Sequence, residues 1–294
     1  MEATHEIRLS GGTIVYRDSG PKDGPVFVFV HAFLTGGTVF RKVVERLDGS
    51  ARCLTPDWPL GAHTIPMDDA ADITPRGVAR LVAEFLEALD LRDVTLVGND
   101  TGGAISQIVA TEHGERVGRL ALVACDAFEA FPPKLFVPIV KGAAKGPRAV
   151  SALLGGLRVP ALRKAPFAYG WTAKHGIPDD VIDAWVQPAL TNQKIRRDIS
   201  RLCAGVDPSV TLDVAAKLTA FHKPALIVWA REDKFFGNEL GERLAAVLPD
   251  SRLEWVDDSY AFVSEDQPAR LAALLAEFAG TQLAGKVPAG TSPG

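Results

Sequence analysis

The chain has 294 residues, 47% of them hydrophobic, and a formal net charge of -4. That length buries a large core, and the mild negative charge argues against nucleic acid or an anionic membrane surface as the main partner. Three scattered cysteines, Cys53, Cys125 and Cys203, have neither disulfide-framework nor zinc-site spacing. The polar start "MEATHEIRLSGG" does not read as a signal peptide, and the apolar runs are too short to span a bilayer. The expectation is a soluble cytoplasmic protein, monomer or homodimer, with no cofactor or metal.

Two short β-like runs, "EIRLS" and "TIVYRD", flank Gly11-Gly12 and predict a hairpin. "PVFVFVHAF" is a continuous apolar run of the length of a buried strand. "GTVFRKVVERL" has helical spacing, "RCLTPDW" is a short strand, and "TPRGVARLVAEFLEALDL" is an amphipathic helix. Thr74 is its predicted N-cap, with Pro75 at the first position.

"VTLVGND", "TGGAISQIVATEHGERV" and "RLALVACDA" then read as strand, helix and strand. Alternation stops over 131–218, a proline-rich, basic stretch with helical pieces. It resumes with "PALIVWARED" (strand), "ELGERLAAVL" (helix), "RLEWVDD" (strand) and "PARLAALLAEFA" (helix). The pattern predicts a doubly wound, mostly parallel α/β sheet. A core over 1–130 and 219–280 is expected, with a helical cap over 131–218 and a flexible tail over 281–294.

The joint Gly98-Asn99-Asp100-Thr101-Gly102 has the spacing of a nucleophile elbow with Asp100 at its centre. Glycines are needed there because a sharp strand-to-helix turn brings backbones close and strains the central residue. The bland alternative is that Asp100 only caps the helix beginning at Thr101.

With the elbow in place, the chain resembles the α/β-hydrolase superfamily over nearly its whole length. "HAF", the elbow, the helical insertion, "WAREDKFF" and "DSYAFVSEDQP" follow in the expected order. An aspartate at the elbow is similar to the haloalkane dehalogenase and epoxide hydrolase branch. The resemblance implies a carboxylate that attacks carbon, forming an ester that a histidine-activated water hydrolyses. It implies an oxyanion hole from the N–H groups of Phe33 and Thr101, with Ala32 where the family has glycine and His31 as a structural residue. It implies Asp233 as the acid, with Asp126 as the runner-up.

The family's histidine falls on Ala261, with Tyr260 where glycine is common. Either the histidine was replaced to trap an intermediate or the lineage has diverged; Tyr260 tilts towards divergence. Of the six histidines, His63 in "DWPLGAHTIPM" is the best substitute base. Thr101 stands where dehalogenases carry a halide-holding tryptophan, which places epoxide-type chemistry before halide-type. Phe33, Leu34, Trp58, Tyr169, Trp171 and Phe262 are the expected contacts to a small, largely apolar substrate. The alternatives are a non-hydrolytic enzyme using Asp100 as general acid or base, and a ligand-binding pseudo-enzyme.

Overall fold

A computed structural model describes residues 4–281. Residues 282–294 of the expected tail lie outside the described residues. One sheet of eight strands organises the chain, in the order β1-β2-β4-β3-β5-β6-β7-β8. Its strands are β1 Thr4–Leu9, β2 Gly12–Ser19, β3 Val26–Val30, β4 Arg52–Pro56, β5 Val94–Asp100, β6 Val117–Cys125, β7 Ala225–Ala230 and β8 Ser251–Val256. The expected hairpin forms: β2 runs antiparallel to both neighbours, and every later pair is parallel.

The helices of the core are α1 Arg41–Leu47, α2 Pro75–Ala88 and α3 Thr101–Glu112, followed after the insertion by others named below. The predicted first helix is in fact two pieces, a tight turn over Gly37–Phe40 and then α1. Thr74 caps α2 as expected, accepting from the N–H of Gly77 at 3.2 Å. The helix predicted after the elbow stops at Glu112, and a short turn over Gly114–Arg116 leads into β6.

Between β6 and β7 lie α4 Val137–Ala143, α5 Pro147–Leu154, α6 Pro160–Arg163, α7 Asp179–Thr191, α8 Gln193–Ala204 and α9 Pro208–Leu218. The segment is helical, as its sequence predicts. α9 differs from the expectation: it packs on α3 and on α10 (Asn238–Val247), so it belongs to the layer against the sheet. The chain closes with α11 Val263–Asp266 and α12 Pro268–Phe278.

Right-handed crossovers explain the layers. The step from β3 to β4 runs one way across the sheet, and the steps from β4 to β5 and onward run the other. α1 therefore lies on one face with α12, and α2, α3, α9 and α10 line up on the other. The strand order reverses between β3 and β5, and a crevice opens beyond the carboxyl ends of strands at such a point. β3 and β5 are almost wholly buried, so both ends are firmly placed. Among the described residues no helix is long and apolar enough to cross a membrane.

Candidate active site

β5 delivers Asp100 into the crevice on a strained turn, with φ 55° and ψ −128°. Close approach explains the flanking glycines: a Cβ on Gly102 would lie 2.1 Å from the carbonyl oxygen of Val30. A Cβ on Gly98 would meet Ser106 Oγ at 2.5 Å. The N–H groups of Thr101 and Phe33 both donate to Asp100 Oδ1, at 2.6 and 3.3 Å. The two donors expected from sequence thus converge on one carboxylate oxygen. Asp100 does cap α3, so the bland reading is true of its geometry but accounts for only one oxygen. Burial pushes the Asp100 carboxyl upward, while these N–H bonds work against the shift.

His31 sits beneath this loop, fully buried. Its Nε2 accepts from the N–H of Trp58 at 2.9 Å, which leaves Nδ1 to donate to the carbonyl of Ala32 at 2.9 Å. Burial lowers its pKa to about 4, so it stays neutral and braces the loop that carries Phe33. Leu34 follows with φ 55° and is held by two bonds. Its N–H donates to the carbonyl of Leu60 at 2.9 Å, and its carbonyl accepts the Tyr169 hydroxyl at 2.7 Å.

On the other side of Asp100, two more carboxyl groups converge. Asp126 follows β6, and its Oδ2 accepts from Thr101 Oγ1 at 3.1 Å. Asp233 follows β7, and its Oδ1 accepts the N–H groups of Phe235 and Phe236 at 2.8 and 3.0 Å. Asp126 Oδ1 and Asp233 Oδ2 are buried with no hydrogen-bond partner. Burial, and then Asp100, push Asp126 well above the usual carboxylate range. Burial raises Asp233 to about 7, opposed by the two N–H bonds and reinforced by Asp100. Burial and all three carboxyl groups push the Cys125 thiol upward as well, so it is no ready nucleophile.

Ala261 is fully buried, and its carbonyl accepts from Asn99 Nδ2 at 3.0 Å, beside the elbow. Glu265 clamps the same loop from below, paired with Arg41 and, at 2.9 Å, with Lys42. The N–H of Phe262 donates to the carbonyl of Thr172 at 2.8 Å, tying the loop to the insertion.

A cavity of about 350 Å³ stands over Asp100. Of the expected contact residues, Phe33, Leu34, Tyr169 and Phe262 line it. Three expectations fail. Trp58 is fully buried below the crevice, its indole N–H donating to the carbonyl of Phe29 at 3.0 Å. Trp171 is 40% exposed and stands behind the wall, 6.4 Å from the Phe235 ring. His63 is buried away from the cavity lining, with Nε2 3.4 Å from Asp198 Oδ2. Strand-following loops turn towards or away from the cavity according to packing that no local pattern reveals. Sequence reasoning also missed the apolar wall from Phe131, Phe136, Val140, Leu154 and Leu157; the proline-rich composition of that stretch masked its apolar residues.

The alpha/beta hydrolase fold family model matches residues 25–268. The chain is 27% identical over 281 residues to haloalkane dehalogenase 2 of Mycobacterium bovis, covering 91% of this chain and 92% of that protein. It is 27% identical over 273 residues to cis-3-alkyl-4-alkyloxetan-2-one decarboxylase of Xanthomonas campestris pv. campestris, covering 87% and 89%. A solved alpha/beta hydrolase fold protein from Burkholderia ambifaria shares the fold with a TM-score of 0.78 at 23% identity, over 94% of this chain and 98% of that one. The match over residues 25–268, with the eight-stranded sheet and its helices, makes this chain a member of the α/β-hydrolase fold family.

Proposed function

We propose that this protein is an α/β-hydrolase-fold enzyme that attacks carbon in a small, largely apolar substrate through Asp100, with a strained oxygen ring such as an epoxide preferred to a halide. One observation carries the reading: Asp100 Oδ1 is held by two convergent N–H groups at the floor of a largely apolar cavity. Attack by the other oxygen, Oδ2, gives an ester whose carbonyl oxygen already faces both donors. The same donors then stabilise the oxyanion formed when water attacks that ester.

The halide is disfavoured because Thr101 brings a hydroxyl already committed to Asp126, where a dehalogenase brings an indole N–H. A ring substrate keeps its leaving oxygen attached and needs no such cradle. The oxetan-2-one in the name of one relative is also a strained oxygen ring. In this reading the helical segment before α9 acts as a cap that keeps bulk solvent from the cavity. A second reading has Asp100 moving a proton in an elimination, cyclisation or rearrangement. The upward push on its carboxyl favours that one.

Turnover of a terminal alkyl epoxide in heavy-oxygen water, followed by peptide mass spectrometry, separates the two. Attack by Asp100 places the heavy oxygen in the Asp100 carboxylate, because water adds to the ester carbonyl. Product without label in that peptide overturns the nucleophile reading in favour of the second. No product and no adduct leaves a ligand-binding protein.

A further inference from the structure

Asp126 is 2% exposed, lines the cavity and is fixed on three sides. Thr101 Oγ1 holds its Oδ2, its N–H donates to the carbonyl of Asp100 at 3.3 Å, and its carbonyl accepts from Gln107 Nε2 at 2.9 Å. Only Oδ1 is unpartnered. Asp233 has an unpartnered oxygen too, but it does not line the cavity. Geometry therefore separates the two acids: of the two, only Asp126 lines the cavity that Asp100 lines, and it keeps one oxygen unpartnered.

The titratable groups that act on Asp126 are Asp100 from β5 and Cys125 from β6, while Asp233, from the turn after β7, acts on Asp100 and Cys125. Thr101 and Gln107 of α3 are neutral. No lysine, arginine or histidine pairs with any of these carboxyl groups among the described residues. Two neighbouring carboxylates without a cation, out of bulk water, retain one proton between them. The Tyr169 hydroxyl is committed to the carbonyl of Leu34, so it does not serve the substrate oxygen.

Resting on the reading of Asp100 as nucleophile, we propose that Asp126 is both the acid and the base of the reaction. It gives its proton to the oxygen of the opening ring and takes another from the water that cleaves the ester. In the first step Asp100 Oδ2 bonds to a ring carbon, the C–O bond of the epoxide breaks, and the departing oxygen takes the proton of Asp126. In the second step the Asp126 carboxylate takes a proton from water as the water oxygen attacks the ester carbonyl carbon. The oxyanion so formed faces the N–H groups of Phe33 and Thr101. Its collapse breaks the bond to the alkyl oxygen, which takes the proton of the new Asp100 carboxyl group. One epoxide and one water leave as a diol, with Asp100 ionised and Asp126 protonated as before. No base at residue 261 is required.

The test uses the full chain, an alkyl bromide and rapid-quench mass spectrometry. Bromide leaves without a proton, so the ester forms without Asp126 and only its decay needs that group. The expected result is an adduct on Asp100 in both the parent chain and Asp126→Asn, decaying about 100-fold more slowly in the variant. Equal decay in a folded variant overturns the role of Asp126 and leaves Asp100 as the nucleophile. No adduct in the parent chain with either the bromide or a terminal epoxide overturns the reading of Asp100, and the proposal falls with it. If Asp126→Asn does not fold, Thr101→Val keeps the N–H and removes the hydroxyl that stabilises the Asp126 carboxylate. The pH limb of ester decay then moves to higher pH; a limb that stays in place overturns the proposal, since a purely structural loss slows decay without moving it.

Discussion

The two halves of the site are built to opposite standards. In the half supplied by β3 and β5, both nitrogens of His31 are bonded and the Phe33 and Thr101 N–H groups share one acceptor. In the half supplied by β6, β7 and the loop after β8, two buried carboxylate oxygens have no partner and residue 261 offers only a methyl group. The difference follows from what each half is made of. The Phe33 and Thr101 donors are backbone N–H groups, so a methyl group at Ala32 leaves them intact. Proton transfer is side-chain chemistry, and one substitution removes it. The backbone donors therefore tolerate substitutions that a side-chain proton carrier does not.

The largest expected effect lies on the better-built half. Asp100→Asn keeps a side-chain oxygen for the two N–H groups but loses the carboxylate that the proposed reading makes the nucleophile. Epoxide turnover is expected to fall on the order of 10⁴-fold, read as kcat/KM. If most of the turnover survives, the carboxyl groups of the other half carry the chemistry and the comparison is inverted.

The less satisfied half reports itself through pH. The Asp233 carboxyl rises from 3.8 to about 7 in the folded chain, first because Oδ2 is shut away from water. The folded state therefore holds a proton that the unfolded chain gives up near its ordinary value. The linked stability is whole below about pH 4 and is lost as the pH rises through about 7, a change of a few kcal/mol at most. Urea unfolding between those limits is expected to show this decline, and Asp233→Asn to flatten it. An unchanged slope in the variant assigns the decline to Asp126 or Asp100.

The same contrast decides what was legible in the sequence. Strand and helix alternation gave the doubly wound sheet, and Gly98, Asp100 and Gly102 gave the elbow, because each depends on local spacing. Phe33 and Thr101 followed from their positions beside strand ends. The free oxygen of Asp126 was not legible. It depends on which way a side chain turns after β6 and on a hydroxyl from α3 occupying its other oxygen. His63, Trp58 and Trp171 misled for a related reason. Each lies in a segment near the cavity, and packing turned each away from it. The boundary at 218 misplaced α9, whose pattern suits a helix on the sheet as well as a helix over the cavity.

Ala261→His tests whether residue 261 can be the place of a proton carrier in the proposed reading. The residue is fully buried, so the larger ring costs about 1–3 kcal/mol by overpacking. A ring N–H that reaches Asp233 Oδ2 offsets part of that. We expect a net loss of about 1 kcal/mol in urea unfolding and about tenfold faster decay of the Asp100 ester. A folded variant with unchanged decay shows that this half has been rebuilt more widely than at one residue.

The smallest effect is expected where the insertion touches both halves. Tyr169 donates to the carbonyl of Leu34 on the oxyanion side, and the carbonyl of Thr172 accepts from Phe262 on the other. Tyr169→Phe removes the first tie and keeps the ring, which packs 5.8 Å from the Trp185 ring. The Leu34 carbonyl loses this donor, a change of about 1 kcal/mol. Because Leu34 follows the residue whose N–H holds Asp100, kcat/KM is expected to fall about fivefold alongside that loss of stability. If stability falls while kcat/KM stays fixed, the bond only fastens the insertion, and the oxyanion half keeps its geometry from β3 and β5 alone.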